Sequence, residues 1–456
     1  MQALRAEDWS YRGEGAANIV VSFTGDQASN PELEGKVLRI RKSPVVAPSE
    51  PRQTFSTEQN YAYLTRLIAP LLGDEYVNAG QLVPLAATFL QDLDQRIAAE
   101  RPAKRVQAAR LDCAGSAAQL LRDVGRPFIQ SHDQSDTFCV EIKPKWGFLP
   151  TSSFIHPSNA TAKLSKCRYC MHQWLKVSNG SIDRRSRYCP LDLFSGTRHR
   201  VERALHSLVD VPQNNVRVFR NGRAILTGDK APPADSNSRA YIAELDRHLV
   251  DLVPAAADDS DAQPPHVQTF VSLLAEILLQ EPLLQRLQAA QRLDHLDIEG
   301  LKGLYDSVIE RHPVGQDHWL WDGRFDAPEW SRVVQQALAR SSTAPSLSVH
   351  DVAALSLDEK AAIIAEYLLA ATVKDCSIMV SVQRLSTPSE DPATHFKHIT
   401  HSGTRFRYHV AVVDLDPKLF RNIPKYHRDD GEIVQHYMDH ADDSTCYCSG
   451  PAQPAQ

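Results

Sequence analysis

The amino-acid sequence predicts an α+β fold on three observations. Two short β-prone runs near the start, Ala17–Phe23 and Lys36–Arg41, frame a turn-rich stretch in the manner of an antiparallel hairpin. Strand-like runs recur far downstream, at 138–142 and at Val410–Val413, with segments of helical periodicity between them. The chain has 456 residues, 42% of them apolar and 23% charged, which is enough for a sizeable core and, as a prior, two or three domains.

Each element has its own justification. Ala17-Asn-Ile-Val-Val-Ser-Phe23 is rich in β-branched residues, and Asp26, Asn30, Pro31 and Gly35 supply the turn that follows. In Lys36-Val-Leu-Arg-Ile-Arg41 the period of two sets Leu38 and Ile40 on one face and Val37, Arg39 and Arg41 on the other. A polar loop containing proline leads to helical stretches over roughly 57–100, where Tyr61, Leu64, Leu67 and Ile68 share a face. Residues 138–149 read as a strand running into a loop at Pro144. Val267 to Glu281 carries apolar residues at 267, 270, 271, 274, 277 and 278, an amphipathic helix that ends before Pro282. The stretch 228–266 is rich in Ala, Pro, Asp and Ser and reads as a flexible, exposed insertion, and the tail 450–456 reads as disordered.

Composition excludes several classes. No stretch approaches 18 uninterrupted apolar residues, so no membrane span is expected. The N-terminal residues lack a basic region followed by an apolar one, so no secretory signal is expected, and the nucleus or cytoplasm is the expected compartment. Lys plus Arg total 50 against 56 Asp plus Glu, a net charge of −6, which argues against a general nucleic-acid binder but not against a local basic pocket.

Several residues carry chemistry. Gly13 and Gly15, just before the first strand, allow a backbone to pass close to a phosphate. A glycine turn, a strand, and a strand with a basic residue, here Arg39, is the way kinase-like N-terminal lobes hold ATP. In Glu141-Ile-Lys-Pro-Lys145, Lys143 and Lys145 flank a strand-stopping proline inside an apolar stretch, where a lysine demands an anionic partner. Glu141 as that partner is the structural alternative. Asp375 precedes the apolar run Cys376–Val380, and Asp414 ends Val410–Val413. One aspartate to accept a hydroxyl proton and one to hold Mg²⁺ is what phosphoryl transfer to an alcohol requires.

The eight cysteines suggest free thiols or metal ligands rather than a disulfide framework. Cys167 and Cys170 form a Cys-x-x-Cys pair, with Cys189 some twenty residues on. That spacing suits a structural Zn²⁺ with His172 or another residue as fourth ligand. Ordinary reduced thiols are the alternative that the sequence favours. Cys446 and Cys448 make a second, weaker pair.

These motifs occur in an order that resembles the inositol-pentakisphosphate 2-kinase family. The blocks are Tyr11-Arg-Gly-Glu-Gly15, Gly35-Lys-Val-Leu-Arg39, Glu141-Ile-Lys-Pro-Lys-Trp-Gly-Phe-Leu-Pro150, Cys170-Met-His-Gln-Trp-Leu-Lys176, Tyr188-Cys-Pro-Leu-Asp-Leu-Phe-Ser-Gly196, Lys374-Asp-Cys-Ser-Ile-Met379 and Asp414-Leu-Asp-Pro-Lys418. Residues 40–100 and 220–345 carry little of the match. The resemblance implies a two-lobed, distantly protein-kinase-like fold, with an N-lobe over 1–135 and an enlarged C-lobe over 136–449. It implies transfer of a phosphoryl group from ATP, with Mg²⁺, to the 2-hydroxyl of inositol 1,3,4,5,6-pentakisphosphate, giving inositol hexakisphosphate. A catalytically silent inositide-binding protein of the same fold is the alternative. By the same resemblance Gly13, Gly15, Asn18 and Arg39 would face the nucleotide. Asp375 would be the base and Asp414 the Mg²⁺ ligand. Lys143, Lys145, Lys176, Asn215, Arg217 and Lys418 would hold phosphates, with Asn214 and Arg110 as companions and Arg421, Lys425 and Tyr426 as further ligands. A monomer is expected, with the inositide and ATP as its partners.

Physical reasoning points the same way. Each phosphate carries about −1.5 to −2, so five impose roughly −8 to −10 on their pocket. Cations must therefore converge from separate segments around a ring substituted on every side.

Overall fold

The structure is a computed structural model, and it describes residues 4–15, 17–45, 54–128, 135–228, 239–256, 264–311, 318–320, 323–340, 348–385, 396–442 and 448. Two antiparallel sheets organise them. The first takes β1 (Trp9–Glu14), β2 (Asn18–Phe23), β3 (Lys36–Pro44), β4 (Gln81–Pro84), β5 (Ala109–Leu111) and β6 (Ala117–Arg122) in the order β1-β2-β3-β6-β4, with β5 on the far end of β3. The second takes β7 (Thr137–Ile142), β8 (Val216–Arg220), β9 (Arg223–Leu226), β10 (Ser377–Arg384), β11 (Lys397–His401) and β12 (Thr404–Val413) in the order β11-β12-β10-β7-β8-β9. The expected α+β class is borne out at this level, with helices gathered mainly around the second sheet.

The local chemistry explains the elements that matter most. β10 lies between β12 and β7 and is buried at six of its eight positions, as its Ile-Met-Val-Ser-Val run requires. The helix Leu357–Val373 starts with a capping box, in which Ser356 accepts from the Glu359 amide while the Glu359 side chain accepts from that of Ser356. It buries most of its surface and stops at Lys374, one residue short of Asp375. The hairpin and the strands at 138–142 and 410–413 stand where the sequence puts them. The expected helix 267–281 is Pro265–Gln280.

Two expectations change. The helical reading of 57–100 is interrupted by β4, which enters through Gly80 at φ 61°. A Cβ there would lie 2.2 Å from the Leu120 carbonyl oxygen, so glycine alone lets this backbone approach β6. The loop expected over 228–266 contains the helix Arg239–Leu249, whose Ile242, Leu245 and Leu249 are buried in the larger core. Apolar residues at three- and four-residue spacing outweighed the Pro- and Asp-rich flanks. Residues 229–238, 257–263 and 449–456 lie outside the described residues.

Packing does not follow the chain strictly. Trp9, Ile19, Val21, Leu38, Ile40, Leu90 and Leu93 form the core beneath the first sheet. Tyr63, Leu64, Leu67, Ile68, Tyr76 and Val77 instead join the larger core with β7, β10 and β12, although they precede residue 135. There the Val412 amide donates to the Tyr76 carbonyl at 2.8 Å, and the Tyr63 hydroxyl meets Thr372 Oγ1 at 2.8 Å. The segment around 63–77 therefore fastens the two sheets together.

A buried ion cluster ties three helices. Lys163, at the end of Pro157–Lys163, contacts Asp297 at 2.5 Å, Asp430 at 2.8 Å and Glu299 at 3.0 Å, reaching Asp297–Arg311 and Ile423–His440. Removing one member of a buried ion network leaves the others uncompensated. Lys163→Met should therefore lower unfolding free energy by about 3 kcal/mol or more in urea titration, because Asp297 loses its cation. A change of under about 1 kcal/mol would show that the cluster contributes little.

Candidate active site

Three chain junctions meet at one edge of the second sheet. β7 ends at Ile142 and passes into Lys143-Pro-Lys145, where Pro144 cannot extend the ladder and Lys145 adopts φ 60°. Asp375 occupies the step between the Leu357–Val373 helix and β10. β12 ends at Val413, and Asp414 turns away at φ 61°. Ile378 is in register with both Ile142 and Val412, and β10 runs opposite to its two neighbours, so the end of β7, the start of β10 and the end of β12 lie side by side.

Charges of opposite sign interleave there. Lys418 Nζ donates to Asp375 Oδ2 at 2.9 Å, and Lys145 Nζ lies 3.6 Å from Asp375 Oδ1. Lys143 Nζ is 3.9 Å from Asp414 Oδ2. Ser377 Oγ sits 3.3 Å from that same oxygen and 3.0 Å from Glu141 Oε1, while Glu141 Oε2 is 3.6 Å from Arg217. Asp414 Oδ1 has no hydrogen bond or ion pair among the described residues.

Protonation follows from these neighbours. Burial alone would raise the pKa of Asp375, but Lys418, Lys145 and Lys143 outweigh it and hold the carboxyl below its ordinary value. Burial lowers Lys145, and Lys143 and Lys176 add to the effect against the pull of Asp375. Burial and Arg168 lower Lys176. For Lys418, burial is overcome by Asp375 and the net shift is upward. Asp375 is thus ionised, and the lysines around it repel one another.

The structure brings together Lys143, Lys145, Lys176, Lys418, Arg217, Asp375 and Asp414 by direct contact or electrostatic influence. Asn215 is buried beside them at the start of β8, its carbonyl accepting from the Lys143 amide, and its Oδ1 lacks a partner among the described residues. Asn214 is exposed next to it. Tyr426 stands within electrostatic reach of Lys418, and Arg421 lies on the short turn Phe420–Asn422. Lys425 pairs instead with Asp429, one helical turn away. Arg110 is exposed on β5 opposite Ser43 and makes no hydrogen bond or ion pair with this cluster.

The first sheet contributes a second group. Asn18 Nδ2 donates to Asp416 Oδ2 at 3.3 Å, and Asn60 Nδ2 to Asp416 Oδ1 at 2.7 Å. Arg39 pairs with Asp416 and also donates to Asn60 at 3.0 Å and Gln119 at 2.8 Å. Gly13 follows an irregularity in the β1–β2 pairing, and the Gly15 amide donates to the Asn18 carbonyl at 3.0 Å. Lys42 and Arg101 both hold Glu14 of this turn, at 2.8 and 3.0 Å.

Sequence reasoning missed Asp416, Asn60, Gln119 and Ser377, and it gave Glu141 only a structural part. Asp416 stood in plain view within Asp414-Leu-Asp-Pro-Lys418; Asn60 and Gln119 carried no signal beyond being polar positions that turn out buried.

The cysteines cluster, but not as expected. The four Sγ atoms of Cys167, Cys170, Cys189 and Cys448 lie within 4.8 Å of one another, with Cys167–Cys189 and Cys189–Cys448 both at 3.9 Å. His172 is not the fourth member. Its ring is not among the ligand atoms that cluster, and burial, with Lys176, Arg168 and Lys145, pushes its pKa down to about 3. Cys448, brought back from the far end of the chain, takes that place. Cys446 lies outside the described residues.

Four lysines thus converge on one edge of the second sheet, with the carboxylates of Asp375 and Asp414 at strand ends among them. The family model described as inositol-pentakisphosphate 2-kinase matches residues 11–432. Curated proteins named inositol-pentakisphosphate 2-kinase are similar along most of the chain. The one from Arabidopsis thaliana is 33% identical over 95% of this chain and 93% of its own length. The one from Danio rerio is 28% identical over 94% of this chain and 93% of its own. The chain belongs to the inositol-pentakisphosphate 2-kinase family.

Proposed function

We propose that the protein transfers the γ-phosphoryl group of ATP to the 2-hydroxyl of inositol 1,3,4,5,6-pentakisphosphate, yielding inositol hexakisphosphate. The observation that carries this reading is Asp375, an ionised carboxylate encircled by Lys418, Lys145 and Lys143. A binding protein needs the lysines but has no use for an exposed acid set among them, since it repels the ligand. A kinase needs it to accept the hydroxyl proton. The resting pairs also supply a trigger. When inositide phosphates engage Lys418 and Lys145, Asp375 loses part of the field that keeps its pKa low, and it becomes a stronger base with the substrate in place.

The nucleotide belongs with the first sheet in this reading. Gly13 and Gly15 leave open space where side chains would crowd a triphosphate, and Asn18 and Arg39 present donors beside them. A Mg²⁺ ion suits Asp414, whose Oδ1 faces no protein partner among the described residues, and when bound it would neutralise charge on the transferring phosphates. The arrangement is two-lobed and distantly protein-kinase-like, with the nucleotide lobe on the first sheet and the inositide lobe on the second.

The thiol cluster fits Zn²⁺. Tetrahedral coordination with Zn–S near 2.3 Å places sulfurs roughly 3.8 Å apart, close to the 3.9 Å separations seen. The Cys170 amide donates to Cys167 Sγ and the Cys167 amide to Cys448 Sγ, which is the support that thiolates require. The role is structural: four thiolates close the coordination sphere and anchor residue 448 beside the helix that bears Lys176.

Asp375→Ala should abolish transfer from ATP to the pentakisphosphate, followed by separation of inositol phosphates, while calorimetric inositide affinity stays within about threefold. Substantial turnover in that variant rejects the base. Lys145→Ala should raise the inositide KM about tenfold or more, the worth of one charge-assisted hydrogen bond, with the difference shrinking in high salt. In the unaltered protein, the same KM should climb on the alkaline side before an ordinary lysine would titrate, because the depressed Lys145 loses its charge first. A flat alkaline profile contradicts this. Purified protein should carry one zinc per chain by elemental analysis, and Cys448→Ser should release it and lower the melting temperature. Retention of zinc in that variant would exclude Cys448 as a ligand.

A further inference from the structure

Lys145 and Asp375, paired at 3.6 Å, belong to chain segments more than two hundred residues apart, and a buried bracket joins those segments. Gln291, the last residue of the helix Leu283–Gln291, is completely inaccessible to solvent. Its Nε2 donates to the Lys145 carbonyl at 2.8 Å and to the Val373 carbonyl at 3.4 Å. Its Oε1 accepts from the Gly147 amide at 2.8 Å, and Gln288 Nε2 donates to the Gly147 carbonyl at 2.6 Å. One side chain therefore spans the Lys145 loop and the end of the helix that delivers Asp375.

Three residues further along, Asp294 completes the device. It pairs with Lys374 at 2.5 Å, and both are buried. Lys374 Nζ lies 3.9 Å from the ring centre of Trp146 and 5.2 Å from that of Phe148, so the ammonium bonds Asp294 while its apolar surroundings come from the Lys145 loop. A buried lysine beside an active acid would normally be read as another substrate ligand. This one is spent on Asp294 and on the rings of Trp146, Phe148 and Tyr367.

We propose that Gln291, supported by the Asp294–Lys374 pair, is a positioning element that fixes Asp375 relative to Lys145 and thereby sets the rate of phosphoryl transfer. The inference rests on the reading of Asp375 as the base. Both Gln291 and Asp294 are buried, and neither contacts Asp375 or the Lys145 side chain directly. Their action runs through two backbone carbonyls, one amide and one ammonium. Lys145 holds a left-handed φ of 60°, a conformation that persists only where surroundings impose it, and Gln291 grips its carbonyl directly. Displacing reacting groups by even an ångström costs about a hundredfold in rate.

The test compares Gln291→Met, which keeps the volume and removes all three hydrogen bonds, with the milder Asp294→Asn, which keeps the shape and removes the charge. Gln291→Met should lower kcat about thirty- to a hundredfold with the ATP KM unchanged. The acid limb of the rate profile should move to higher pH, since Asp375 loses part of the lysine field that holds it down. Asp294→Asn should produce a smaller loss of the same kind. A lowered melting temperature with kcat and acid limb intact would reduce the bracket to ordinary core structure and overturn the proposal. If Gln291→Met fails to fold, Asp294→Asn decides alone by the same two readouts. An inactive Asp375→Ala together with a fully active bracket variant rejects only the positioning role, whereas an active Asp375→Ala rejects the base beneath it.

Discussion

Cations gathered at one sheet edge have to coexist before any polyanion can neutralise them. Burial depresses Lys145, and Lys143 and Lys176 are close enough to add to the penalty. A chain of net charge −6 cannot relieve this at long range, because solvent and salt screen distant acids. The relief has to be local. Asp375, Asp414 and Glu141 are the counterions, standing 2.9 to 3.9 Å from Lys418, Lys145, Lys143 and Arg217. Acids and cations thus serve as each other's counterions, delivered from separate elements to one edge of one sheet.

The segment after β12 shows how few residues this takes. Asp414, Asp416 and Lys418 alternate along the chain, yet each answers a different element. Asp414 faces Lys143 and Ser377, Asp416 gathers Asn18 and Arg39 from the first sheet and Asn60 from the helix Thr57–Tyr63, and Lys418 holds Asp375. A regular strand would turn all three to the same face. The left-handed turn at Asp414 and the rigid ring of Pro417 break that periodicity and spread the charges across the seam. Through Asp416 the seam acquires ionic contact between the sheet that carries the glycine turn and the sheet that carries the lysines.

Much of this was legible from the sequence because short motifs encode it. Proline between two lysines announces a strand end, and an aspartate after a four-residue apolar run announces another. The α+β class and the hairpin followed from a period of two. What escaped depended on distance along the chain. Cys448 is 281 residues from Cys167, and no spacing rule selects it over His172, which lies on the same helix as Cys170. The helix Arg239–Leu249 was hidden by the composition of its flanks, and β4 by the helical residues on either side. Gln291 looked like any polar residue near a helix end; only the folded chain shows it sealed between two loops.

Strain and burial divide the work at this site. Lys145 and Asp414 both sit at left-handed φ, which costs of order 1 kcal/mol or more for residues with a Cβ. Their side chains make only long ion pairs, 3.6 and 3.9 Å, each involving a half-exposed carboxylate, so those contacts supply little constant restraint. The restraint must come from groups that never meet solvent. Behind Lys145 it is Gln291, and behind Asp375 it is Lys374 with Asp294, all within the buried interior. Polar groups enclosed in low dielectric are costly unless bonded, and the bonds they make are specific in direction, although Asp294 Oδ1 stays unpartnered among the described residues. That is why the bracket uses an amide and an ion pair instead of leucines: apolar packing would fill the same volume but would leave the lysine and the acid free to slide past each other.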